Sequence, residues 1–402
     1  MSLEIKINLR FVHWCDFNVD NTFKYIVHLA DIHIRNNYER DDEYKAVFRD
    51  LDTSINMNTL LNKKNTCLVI AGDIFHDARK EGKLSPNAML LFTDFIENLN
   101  AFGTVVIIPG NHDNNITYQN SEDTTKVDSL TSVLDKIKGK NKTIFYLKDT
   151  GKYKLGNIIF YHTSVFDIDK IDKQSQYEDR LKYLVKRTDQ YPNCKHICLL
   201  HGSIQSQKLQ NGWVMKDTTF KLSDIEEYDI SCLGDTHEQQ FLGDKKNAAY
   251  PSSLVQQNHG ESIQKHGYVI WDLETNIGTF EEIQNEYGFV TINSVSDIDK
   301  ITYWPKKSRI KFRQSCDDSV NTEDIRNLIS KKTTIISFKK EMTFASVNQI
   351  DECAVNDIND NEKLLKYIHT QILDDDAKCI MLHAQIMKEI AKYHTVVGGT
   401  SC

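Results

Sequence analysis

Short uninterrupted apolar runs alternate with longer stretches of helical spacing through the first two-thirds of the chain. Tyr25–Ala30, Thr66–Ala71 and Thr104–Ile108 are too short for helices and rich in β-branched residues, so they read as strands buried on both faces. Between them, Tyr44, Val47, Phe48, Leu51 and Ile55 recur at helical spacing over 43–61. Leu90, Leu91, Phe95, Ile96 and Leu99 do the same after Ser85-Pro86, an N-cap followed by proline at the first helical position. This βαβαβ rhythm predicts an α/β fold with parallel strands and covering helices.

Further along, the weak alternation of residues 1–22 (Ile5, Ile7, Leu9, Phe11) is read as an edge strand. The polar stretch 114–125 and the charged stretch 78–84 are read as loops, and 126–137 and 174–186 as helices. Thr143–Leu147 and Asn157–His162, separated by Gly151 and Gly156 as breakers, and His196–Leu200, Ile230–Leu233, Tyr250–Gln257 and His266–Leu273 are expected as strands, making the second half of the sheet system mixed. The character of the sequence changes near Glu286. A strand at Ser308–Arg313, a helix at Glu323–Ser330 and a strand at Thr334–Phe338 suggest a small separate unit. The expected organisation is 1–285, 286–350 and 351–402. The last segment holds a polar linker and then amphipathic helices, with Asn359 and Glu362 at capping-box spacing.

A length of 402 residues allows a sizeable core and more than one domain. The net charge of −8 argues against a protein that coats nucleic acid by charge alone. It leaves a nuclease open, because carboxylate ligands make a site anionic until cations arrive. Nine cysteines are scattered without a CxxC pair, and Cys194 and Cys198 either side of His196 read as small buried thiols rather than a zinc or redox motif. No run is long enough to span a bilayer, and Arg10, His13, Asp16 and Asp20 interrupt any leader-like stretch. The expectation is a protein of a reducing compartment, cytoplasmic or nuclear, with no membrane contact. Few prolines and many Asn, Lys and Ile hint at an AT-rich, virus-like source.

The strand exits carry the chemistry. Asp31-x-His33 can chelate one ion after a turn, and Asp73 after Gly72 can bridge two. Asn111-His112-Asp113 follows Pro109-Gly110; His201 precedes a glycine; Asp235-x-His237 follows Gly234. Each alone is weak. Their succession, every one after an apolar run, is specific. Mixed nitrogen and oxygen donors point to manganese-, iron- or zinc-type ions.

These stretches, His28–His33, Gly72–His76, Pro109–Asp113, His201-Gly202 and Gly234–His237, resemble the calcineurin-like metallophosphoesterases. Within that superfamily they resemble the SbcD-type double-strand-break repair nucleases. Tyr250–Gln257 with Gly260-Glu261 and His266-Gly267 resembles the phage and large-virus branch. The resemblance is good over about 24–275 and loose over 290–350. It implies a four-layer α/β/β/α sandwich, a small α+β capping domain that helps hold DNA, and C-terminal helices. It implies two divalent ions, manganese above all: Asp31, His33 and His237 hold one, Asn111, His201 and Asp235 the other, and Asp73 bridges them. It implies that His112 faces the scissile phosphate without binding metal and that His76 positions the strand end. A typical member has histidine where this chain has Asp235, which either serves as a harder ligand or merely caps a turn.

The implied activity is DNA exonuclease and endonuclease cleavage in repair or genome processing. The implied partners are DNA, an SbcC-like coiled-coil ATPase docked on the segment after the capping domain, and a second copy of the chain in a homodimer. Lys306, Lys307, Arg309, Lys311 and Arg313 are the main candidate DNA contacts, with Lys136–Lys142 and Lys339-Lys340 behind them. Two alternatives stay open: a phosphoesterase acting on phosphoproteins or small phosphodiesters, and a non-catalytic scaffold regulating the ATPase.

Overall fold

Three consecutive parallel strands, β2 (Tyr25–Leu29), β3 (Thr66–Ala71) and β4 (Thr104–Ile108), form the centre of a six-stranded sheet. The computed structural model describes residues 13–36, 38–76, 84–113, 128–138, 143–168, 177–205, 207, 220–315 and 321–343. The expectations for 1–12, 78–83, 114–125 and 351–402 fall outside these residues. Residues 1–314 and 320–341 make one compact unit, and 315–319 with 342–402 a second, which lies almost wholly outside the described residues.

The other strands are β1 (His13–Asp16), β5 (Ile144–Tyr146), β6 (Gly151–Leu155), β7 (Ile158–Thr163), β8 (Lys195–His201), β9 (Ile230–Gly234), β10 (Gln240–Leu242), β11 (Ala248–Tyr250), β12 (Gly267–Asp272), β13 (Gly278–Glu282), β14 (Tyr287–Ile292), β15 (Lys307–Ser315) and β16 (Thr334–Thr343). They assemble as β13-β12-β2-β3-β4-β5, as β1-β6-β7-β8-β9-β11-β10, and as β14-β15-β16.

The uninterrupted apolar runs have their cause in this layering. Val27, Leu29, Leu68, Ile70, Val105 and Ile107 face the helices α1 (Asp41–Met57), α2 (Pro86–Phe102) and α3 (Thr131–Lys138). The alternate residues Ile26, Cys67, Val69, Val106 and Ile108 face the seven-stranded sheet, against Phe160, Ile197, Leu199, Ile230 and Cys232. A strand buried on both faces cannot alternate apolar with polar. The far face of the seven-stranded sheet packs Tyr161, Cys198, Leu200 and Leu233 against Leu184, Val185, Phe220, Ile225 and Tyr228. The fold is thus a mixed α/β sandwich, with two sheets face to face and helices on the outer side of the six-stranded one. Among the described residues no helix is long and apolar enough to cross a membrane.

His28 sits fully buried between the two sheets. Burial pushes it down to about 3, so it is neutral. Trp271 Nε1 donates toward its Nδ1 at 3.5 Å, which leaves the proton on Nε2 to meet the Leu233 carbonyl at 3.1 Å. It is a fastener between layers.

Three details differ from the expectations. Gly151 opens strand β6 rather than breaking the chain; a Cβ there would lie 2.6 Å from the His13 carbonyl oxygen of the neighbouring strand. Of the expected Tyr250–Gln257 strand only Tyr250 is strand, as the last residue of β11. Pro251 has no N–H to donate and Ser252 turns to φ +82°, so the rest becomes a buried loop. The helix expected over 174–186 is, among the described residues, a single turn at Tyr177–Leu181.

The β14-β15-β16 sheet has a core of its own. Val290, Ile292, Ile310 and Phe312 pack with Ile325 and Ile329 of the helix at Thr322–Ser330.

Candidate metal centre

Five loops deliver the candidate residues, three from the six-stranded sheet and two from the seven-stranded sheet. Asp31 and His33 follow β2, Asp73 and His76 follow β3, Asn111 and His112 follow β4. His201 ends β8, while Asp235 and His237 follow β9. All lie at or beyond the carboxyl ends of parallel strands, where open α/β sheets place ligands.

The loops approach closely because two glycines permit it. A Cβ on Gly110 would fall 2.0 Å from Asp73 Oδ1, and one on Gly72 (φ +88°) would fall 2.4 Å from His201 Nδ1. The first two loops are zipped by backbone bonds: Asp31 N–H to Gly72 O, His33 N–H to Asp73 O, Ile34 N–H to Ile74 O and His76 N–H to Ile34 O. Asp31, His33, Asp73 and Asp235 all hold positive φ, at 53°, 51°, 53° and 100°. Such conformations cost of order 1–3 kcal/mol each and persist where surrounding structure over-determines them.

The side chains converge as two groups that share Asp73. In the first, His33 Nε2 lies 2.9 Å from His237 Nε2, 3.5 Å from Asp73 Oδ2 and 3.9 Å from Asp31 Oδ1. In the second, His201 Nε2 lies 3.2 Å from Asn111 Oδ1, 3.4 Å from Asp73 Oδ1 and 3.9 Å from Asp235 Oδ1. The Asp73 carboxylate therefore turns one oxygen to each group. The outer ring nitrogens of two histidines are already engaged, His201 Nδ1 with the Ala71 carbonyl at 2.7 Å and His237 Nδ1 with Glu261 at 2.8 Å. That fixes Nε2 as the inward lone pair in each. Converging carboxylate oxygens and imidazole nitrogens, with outer partners in place, fit divalent cations.

Protons compete for the same atoms. Burial pushes Asp31 up to about 7. Burial opposes the charged form of His237, but the Glu261 hydrogen bond and the Asp31 carboxylate outweigh it and push the ring up to about 9. Burial likewise works against a charged Asp73, yet His201, His33 and His112 hold its carboxylate well below the ordinary range.

The sequence model of a family described as calcineurin-like phosphoesterase matches residues 24–249. The chain belongs to the calcineurin-like phosphoesterases. The matched span runs from the start of β2 to β11 and contains every loop described above. This phosphoesterase is also similar to an uncharacterised protein, R555, of Acanthamoeba polyphaga mimivirus: 31% identical over 318 residues, covering 79% of this chain and 22% of that protein. The chain thus spans about a fifth of that relative's length.

Around the donor groups of the phosphoesterase, His33 is ringed by imidazoles. His76, His112 and His237 all pack edge-on to it, with centroids 5.2, 5.0 and 4.8 Å away. His112 stacks on His76 at 5.4 Å, is 31% exposed at the mouth of the site, and its backbone N–H donates to Asp73 Oδ1 at 2.8 Å. Asp113 is fully buried below; its carboxylate accepts from the backbone N–H groups of Ile74, Phe75 and Gly110. It ties the Asn111 loop to the Asp73 loop.

The candidate DNA contacts lie on or beside β15, and acids already engage most of them. Lys306 pairs with Glu286; Lys311 and Arg313 each lie 3.6 Å from Glu341; Lys307 donates to the Tyr287 hydroxyl. Arg309 departs from the expectation of a surface contact. It is 9% exposed, with Nη1 2.9 Å from Glu43 and its guanidinium over the Phe289 ring. Two roles were not read from the sequence: that of Glu261, quoted there only for its resemblance, beside His237, and that of Glu43, the buried acid that pairs with Arg40 and Arg309. Neither residue follows an apolar run, so neither carried the signal that revealed the others.

Proposed function

We propose that this chain is a manganese-dependent DNA exonuclease and endonuclease using two ions, working in repair or genome processing with an SbcC-like ATPase. The observation that carries the reading is the pair of donor groups bridged by Asp73, with His112 at their mouth. Asp31, His33, His237 and Asp73 Oδ2 would hold one cation; Asp73 Oδ1, Asn111, His201 and Asp235 would hold the other. Bound cations supply Lewis acidity to a phosphodiester and lower the pKa of water towards neutrality. The protein's own part is orientation and proton management. Asp73 fixes the spacing of the two groups and, by accepting the His112 N–H, places that imidazole beside them. His112 then holds a proton for the leaving oxygen, a role worth about a hundred- to ten-thousand-fold. His76, stacked on His112, limits how far a strand end can enter.

The β14-β15-β16 sheet, which falls within the expected 286–350 domain, would serve as the DNA-capping element. Its candidate phosphate contacts are Lys306, Lys307, Lys311 and Arg313, which would exchange their present partners for DNA, while Arg309 serves the internal ion pair. Residues 351–402 would dock the ATPase, and two copies of the chain would form the working nuclease. A second reading, hydrolysis of phosphoproteins or small phosphodiesters, is favoured by the acids that neutralise β15. Parallel assays on linear duplex DNA and on bis(p-nitrophenyl) phosphate, each with manganese, separate them. Rapid DNA degradation supports the nuclease; turnover of the small diester with intact DNA supports the second reading.

A further inference from the structure

His237 joins two elements that the sequence keeps apart. Its Nε2 faces His33, and its Nδ1 meets Glu261 Oε1 at 2.8 Å. Glu261 is 7% exposed, yet its carboxylate is well supplied with donors. Asn258 Nδ2 reaches Oε1 at 2.9 Å, while the Gln257 N–H and Ser253 Oγ reach Oε2 at 2.6 and 3.2 Å. These donors offset the cost of burying a carboxylate and fix its direction.

The loop that carries Glu261 is itself clamped. His266 meets the Ser253 carbonyl through Nδ1 and the Ser262 carbonyl through Nε2, at 2.8 and 2.7 Å. Gln256 bonds the Phe289 N–H and carbonyl of β14 and the Glu261 carbonyl. Arg40 donates to the Gln256 carbonyl at 2.8 Å while paired with Glu43. The carboxylate therefore stands at a fixed point behind the imidazole.

We propose that Glu261 is a positioning residue for the cation site of Asp31, His33 and His237, fixing the tautomer and aim of His237 from behind. An ionised carboxylate accepts only, so the neutral His237 ring keeps its proton on Nδ1 and turns its Nε2 lone pair inward for a cation. The inference rests on the two-cation reading of the site. Loss of such an outer partner typically weakens metal binding about 10- to 100-fold.

The test is calorimetric titration of the 402-residue chain with manganese, with electron paramagnetic resonance of the bound ions, for wild type, Glu261→Gln and Glu261→Asp. Wild type is expected to bind two ions with an exchange-coupled signal. In Glu261→Gln one ion should bind about 10- to 100-fold more weakly, and isolated-ion signal should replace the coupled one at limiting manganese. Glu261→Asp keeps the charge but withdraws it by one methylene, and should fall between. A merely structural role would lower the melting temperature and leave both affinities unchanged. Wild-type affinities in folded Glu261→Gln overturn the inference; if that variant does not fold, wild-type affinities in Glu261→Asp do so. Failure of the wild-type chain to bind two ions would instead overturn the reading on which the inference rests.

Discussion

His33 and His237 face one another across the candidate metal centre, Nε2 to Nε2 at 2.9 Å. Two ring nitrogens at that separation can share one proton or point at one cation. The neighbouring Asp31 and Asp73 oxygens favour either occupant.

This competition gives divalent-cation binding, manganese included, an expected pH dependence of definite sign. His237 is pushed up to about 9 and Asp31 up to about 7, and both must shed their protons to serve as ligands. Affinity should therefore rise as pH climbs through 7 towards 9. Binding should release protons, so the calorimetric heat should vary with the ionisation enthalpy of the buffer. A heat independent of buffer, with affinity flat over that range, would contradict the assignment.

Asp235 stands about one-third exposed, with Oδ1 3.9 Å from His201 Nε2, and its backbone N–H donates to Asp31. If its carboxylate is a ligand, Asp235→Ala should bind one manganese tightly and the second weakly or not at all. Asp235→His should keep two. Equilibrium dialysis with metal analysis counts the ions; two tightly held in the alanine variant would reduce Asp235 to a turn residue.

Asp113 supports the site through folding rather than chemistry. Asp113→Ala leaves three buried N–H groups, of Ile74, Phe75 and Gly110, without their acceptor. A destabilisation of about 3–5 kcal/mol is expected from urea unfolding. Asp113→Asn, which retains one acceptor, should lose less. A near-neutral alanine variant would mean that other contacts hold the two loops together.

The legible part of this protein was the part buried on both sides. β2, β3, β4, β8 and β9 stood out because packing on both faces makes their residues mostly apolar, and the polar residues that follow stand at the strand exits. Edge and hairpin strands were harder. β13, with Thr279, Glu281 and Glu282, lies at the rim of its sheet and lacks an apolar pattern. Gly151 read as a breaker, because nothing local reveals that β1 lies against it. Long-range support was hidden too. Glu261 meets His237 across 24 positions and Glu43 meets Arg309 through an ion pair, while no spacing in the chain announces either contact. The same concealment made Arg309 look like one more surface cation beside Lys307 and Lys311.

The most direct test of the central claim is manganese-dependent hydrolysis of linear duplex DNA by wild type and His112→Ala, with bound metal counted in the same samples. His112 lies beside the donor groups, with its ring 4.0 Å from Asp73 Oδ2 and its backbone bonded to the same carboxylate. The account predicts two ions in both proteins and a fall in the rate of about a hundred- to ten-thousand-fold in the variant. Undiminished cleavage by His112→Ala with both ions in place, or absence of manganese-dependent cleavage by the wild type, would contradict it.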